Sequence, residues 1–202
     1  MKKTEIGLAI IAFVSVVLGF AQVPSAFPVT MLSVGVLAML YYPFGLLLLN
    51  DISLTRVFKK ESYQGISILR LIGSGVAGVI FSINVIGFLF KVQFYPGATL
   101  MLETGSIGLV IVLAISGFKW MKGKNPFYLE MIKRTVIIGV IALIVGAMPY
   151  RTLVGWRLPD NPEYAEALIN ALENPGNMQL REIEQQERKK YYQREDERDS
   201  NE

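Results

Sequence analysis

Five long apolar stretches fill the first 150 residues and leave almost no polar sequence between them. A helix needs about 20 mainly apolar residues to cross the roughly 30 Å hydrocarbon core of a bilayer. Stretches at 6–23, 27–49, 66–90 and 98–118 come close to that length or exceed it, and one at 135–148 is shorter. A soluble domain can bury one such stretch in its core, but five would leave it nothing to present to water. The fold class expected is therefore all-α: a polytopic membrane bundle of five transmembrane helices over residues 1–150, with an exposed, helical and partly disordered polar tail over 151–202.

Charge divides the chain at the same place. Residues 1–150 carry twelve Lys and Arg against five Asp and Glu, while 151–202 carry eight against twelve. Within the apolar block the basic residues other than Lys91 fall in alternate connections: Lys2 and Lys3, then Arg56, Lys59, Lys60 and Arg70, then Lys119, Lys122, Lys124, Lys133 and Arg134. Short loops rich in Lys and Arg stay in the cytoplasm. Five crossings then place the tail on the far side, the periplasm of a bacterium whose inner membrane holds the bundle. The first stretch, with Lys2, Lys3 and the small residues before Gln22, also reads as a secretory signal; a retained helix is the preferred reading, and both give the rest the same orientation.

A repeat of about 70 residues is worth testing. Gly19-Phe20, Phe27-Pro28, Thr30-Met31-Leu32 and Gly35 have counterparts in Gly87-Phe88, Tyr95-Pro96, Thr99, Met101-Leu102 and Gly105, with a two-residue insertion in the second copy. Each copy would be a helical hairpin of the same orientation.

Ionisable residues within a span are costly and mark functional candidates. Lys91 and Glu103 flank the outer turn, where Pro96 and Gly97 suit the central positions of a type II turn. Counted from the Pro96–Gly97 bond, both lie about 8–10 Å below the turn on antiparallel neighbours. An ion pair across the hairpin is expected, either locking the hairpin or, in the sharper reading, relaying a proton or cation. Ser74, Gly78 and Ser82 recur at four-residue spacing, and with Asn84 they suit close helix packing, inside the bundle or between subunits. Tyr41, Tyr42, Phe94, Tyr95, Trp120, Phe127, Tyr128 and Tyr150 stand near helix ends, as interfacial anchors do.

In the tail, Asn161-Pro162 reads as a helix start and Asn174-Pro175-Gly176 as its end. A second helical stretch from about 178 becomes almost wholly charged after Ile183, which predicts a solvated segment rather than a core. Lys189-Lys190-Tyr191-Tyr192 lies among acids, so no nucleic-acid partner is expected. With no Cys and no His, thiol chemistry and the commonest general base are missing. No phosphate loop, His-Glu-x-x-His or Gly-x-Ser-x-Gly motif occurs. No catalytic residue, metal site or cofactor is expected.

The run Phe90-Lys91, Tyr95-Pro96-Gly97-Ala98 and Met101-Leu102, within residues 85–102, resembles the transmembrane hairpin of GldL, the motor subunit of gliding motility and type IX secretion, and hairpins in small membrane proteins of Bacteroidota. Lys91 falls on that family's intramembrane Lys. Phe94 stands where the family has His, and Leu109 where it has its functional Glu. The resemblance implies shared hairpin architecture without the same proton-powered rotation. The function expected is structural or assembly-related: a non-enzymatic subunit in the lipid bilayer, contacting membrane or periplasmic proteins or its own copies. The alternative is an ion-coupled motor or transport component using Lys91 and Glu103.

Overall fold

A computed structural model describes residues 2–23 and 25–199. Helices α1 (Lys2–Phe20), α2 (Ala26–Tyr41), α3 (Gly45–Leu49), α4 (Ile68–Val92), α5 (Ala98–Gly123), α6 (Pro126–Ala147), α7 (Tyr150–Arg157), α8 (Pro162–Glu173) and α9 (Met178–Asp199) follow in order, with two short 3-10 turns between α3 and α4. The described residues contain no strand. Residues 200–202 of the expected tail lie outside this description.

Among the described residues three helices, α1, α4 and α5, are long and apolar enough to cross a membrane, and α6 with α7 makes a fourth if they count as one rod bent by 84°. Five spans would need the 16-residue α2 and the bent α6–α7 rod to cross as well. The stretch 27–49 breaks at Tyr42-Pro43-Phe44 because proline cannot donate to the helix ladder. This leaves α2 with 16 residues, about 24 Å of rise. The stretch 135–148 joins its basic approach to make α6, whose first turns carry Glu130, Lys133 and Arg134.

Local chemistry places the ends. Ser67 accepts from the Arg70 amide at the start of α4. Gly97, at φ 87° and ψ −3°, starts α5 from a left-handed conformation that suits the third position of a type II turn. Lys124 closes α5 in the same region, and Asn125 caps α6 by accepting from the Phe127 amide, with Pro126 in the first turn. In the tail, α8 begins at Pro162 and stops before Asn174, as the sequence predicts, although Asn161 makes no side-chain cap bond.

Helix α4 is the central rod and packs on α2, α3, α5 and α6, while α1 packs on α2. Phe81 of α4 is fully buried and meets Tyr41 edge-on at 5.5 Å. The closest backbone approach joins Gly78 of α4 to Gly45 of α3: a Cβ on Gly78 would stand 2.6 Å from the Tyr41 carbonyl oxygen and 2.8 Å from the Gly45 Cα. Both members of the suspected repeat, α1–α2 and α4–α5, are packed helix pairs. A second apolar cluster joins Tyr150 and Val154 of α7 to Tyr164, Leu168, Ile169 and Leu172 of α8. The tail thus holds a small core of its own, and even charged α9 enters it through Tyr191, which stacks on Tyr164 at 5.3 Å.

Candidate functional site

Polar side chains gather at the two ends of the bundle. At the end that holds the basic connections, Arg134 of α6 donates from Nε and Nη2 to the two carboxylate oxygens of Glu5 in α1, each at 2.9 Å. The Tyr41 hydroxyl donates to Glu5 Oε1 at 2.6 Å. Glu5 and Tyr41 are buried, and the Arg134 side chain is nearly so. A buried carboxylate is tolerated when paired and hydrogen-bonded, and this one accepts three bonds. Nearby, Asn50 donates to Ser74 Oγ and accepts from Arg70 Nε, both at 2.8 Å, while the Arg70 guanidinium lies over the Phe127 ring. Lys2 reaches Asp51 at 2.7 Å on the surface.

From the sequence, Arg134 stands out only as part of a basic connection and Tyr41 only as an interfacial anchor, and Glu5 is not singled out. The available signal was chemical: a carboxylate at the start of one apolar helix and a guanidinium just inside another, both at the basic end. Tyr41, Phe127 and Tyr150, expected as interfacial anchors, are buried core residues, whereas Tyr42 and Tyr95 are exposed.

At the opposite end the structure separates the expected pair. No ion pair joins Lys91 and Glu103 among the described residues. Two geometric reasons account for this correction. Gly87 faces Leu102, Asn84 faces Gly105 and Ile80 faces Gly108, so the hairpin register brings Lys91 level with Ala98, and Glu103 lies about 8 Å deeper. The inward stripe of α5 runs through Ala98, Leu102, Gly105 and Leu109, and at 100° per residue Glu103 turns away from it. Lys91 is instead buried at 3% exposure, its ammonium 3.7 Å from the centre of the Tyr150 ring of α7. Glu103 is exposed on the outward face of α5, among Leu100, Ile107 and Val110, each about two-thirds exposed.

Ser74, Gly78, Ser82 and Asn84 are all buried on α4. The first three point toward α2 and α3: Ser74 meets Asn50, Gly78 meets Gly45, and Ser82 donates to the Ala38 carbonyl at 3.0 Å. Asn84 lies against Gly105 of α5 and donates to the Ile80 carbonyl, while its Oδ1 accepts no bond among the described residues. Pro96 and Gly97 form the outer turn, over which α7 and α8 assemble. Among the described residues no cluster of acidic side chains is placed to hold a metal ion.

Comparison with protein families, with curated proteins and with solved structures finds no match for this chain, so its functional reading rests on these residues themselves.

Proposed function

We propose that this protein is a non-enzymatic subunit of a membrane assembly, docking through the outward face of α5 onto a transmembrane helix that carries a basic or hydrogen-bond-donating side chain. The observation that carries this reading is Glu103. Among the described residues this carboxylate on an apolar, outward face makes no ion pair, and such a group is costly unless something pairs with it. A complementary charge on a neighbouring helix removes that cost and sets the register of the contact. With α1, α2, α4, α5 and α6 all taken as crossings, the positive-inside rule supports a bacterial inner membrane with the N-terminus in the cytoplasm and the tail in the periplasm. The hairpin resemblance to GldL is consistent with a lineage of secretion-machinery subunits.

The chain has no cysteine, which suits site-directed crosslinking in native membranes. Single cysteines at Leu100→Cys, Ile107→Cys and Val110→Cys are expected to capture one partner helix, and Leu102→Cys and Leu109→Cys to capture none. Glu103→Leu should release that partner, and Glu103→Lys should regain it only with a reciprocal acidic substitution in the partner. Assembly unchanged by Glu103→Leu overturns the reading. A second reading, an ion-coupled component, draws on the same lone carboxylate; it requires a pH-dependent ion flux in proteoliposomes that Glu103→Gln abolishes.

A further inference from the structure

The tail does not close tightly over the outer end of the bundle. An open groove of about 890 Å³ runs between the outer turns, the α7–α8 connection and the hairpin of α8 and α9, a size common for small-molecule sites. It lies where the apolar helices give way to the polar tail, the place a membrane boundary would take if the bundle spans a bilayer. Helix α7 turns 84° from α6, leaves Trp156 half-exposed, and sets Trp156 edge-on to Phe20 at the end of α1.

One side chain gives the groove its chemistry. Arg157 closes α7, lines the groove, and stacks its guanidinium on the Phe27 ring of α2. Stacking occupies a face of the guanidinium and leaves its in-plane donors free. Among the described residues Arg157 makes no ion pair and no side-chain hydrogen bond. The other groove cations are engaged: Arg188 lies 3.6 Å from Glu184, and Arg181 donates to the Pro175 carbonyl. Of the groove carboxylates, Glu184 is held by Arg188, and Asp160 is exposed at the rim. Along the same groove, Leu168 and Leu172 of α8 and Phe94 of the outer turn offer an apolar wall, and exposed Tyr192 of α9 also lines it.

We propose that this groove binds an anionic amphiphile, with a phosphate head on Arg157 and an apolar stem along Leu168 and Leu172. An arginine fork without a carboxylate matches phosphate geometry, and an apolar wall beside it at the membrane boundary matches an acyl chain rather than a free ion. The site is separate from the α5 face, so either assignment stands or falls without the other.

The two tryptophans, Trp120 and Trp156, allow a direct test. In a Trp120→Phe background, Trp156 alone reports beside Arg157. The full chain in zwitterionic micelles is titrated with short-chain phosphatidylglycerol, short-chain phosphatidylcholine and inorganic phosphate. Phosphatidylglycerol is expected to shift the Trp156 emission saturably, and the other two to bind at least about tenfold more weakly. Arg157→Gln should weaken phosphatidylglycerol at least about tenfold, and Tyr192→Ala, in the groove lining, should weaken it severalfold with helix content unchanged. Equal binding of phosphatidylcholine, equal binding of inorganic phosphate, or wild-type affinity in both variants overturns the proposal, as does a flat titration of the unmutated groove.

Discussion

Arg134 grips both carboxylate oxygens of Glu5 at 2.9 Å, across 129 residues of chain. This contact fastens the first helix to the last long helix of the bundle at the basic end, where the Tyr41 hydroxyl completes it from α2. Removing one partner of a buried pair leaves an uncompensated charge. Arg134→Ala is expected to destabilise the protein by about 3–5 kcal/mol, and Tyr41→Phe by about 1.5–3 kcal/mol for one bond to a charged acceptor. Unfolding in detergent should rank them in that order.

Lys91 and Tyr150 should couple. An ammonium over an aromatic ring away from water contributes up to about 2 kcal/mol, so a cycle of Lys91→Met and Tyr150→Leu should show an interaction of about 1–2 kcal/mol. The same cycle on Lys91 and Glu103 should be additive within about 0.5 kcal/mol. The reverse result would restore the hairpin ion pair.

Glycines of one helix should differ sharply. A methyl at Gly78 would strike the backbone of Tyr41 and Gly45, so Gly78→Ala is expected to cost about 1–3 kcal/mol by overpacking. Gly73→Ala and Gly75→Ala meet no atom within 4 Å and should be neutral or stabilising by up to about 1 kcal/mol. Thermal unfolding of the three variants separates the faces of α4.

Alkali should loosen the tail. Burial pushes the Tyr164 hydroxyl from its ordinary value of 10.0 up to about 12, with Glu184 adding to the rise. The folded tail therefore favours protonated Tyr164. That contribution is fully present below pH 10 and is lost as pH rises through about 12. Tyrosinate absorbance should show one late-titrating group that Tyr164→Phe removes, and α8–α9 helix content should fall over the same interval.

The tail illustrates how far sequence reasoning reaches. Asn161-Pro162 and Asn174-Pro175-Gly176 bracket α8 as written, because caps and breakers act through the backbone of their own neighbours. The helical stretch expected from about 178 forms as α9, but its charged run after Ile183, which reads as solvated, sets a partly buried Tyr191 against a core. The packing of α9 on α8, with Tyr191 stacked on Tyr164, is a tertiary contact that nothing local announces.

The same division holds for the bundle. By itself the sequence determined that the chain is helical and oily, which end is basic and where Gly97 turns the hairpin, since each follows from solvent transfer or local backbone geometry. Only the tertiary structure decided which charge meets which partner. A helix turns 100° per residue and rises 1.5 Å, so a small change in the register of a hairpin sends Lys91 to Tyr150 and leaves Glu103 facing outward.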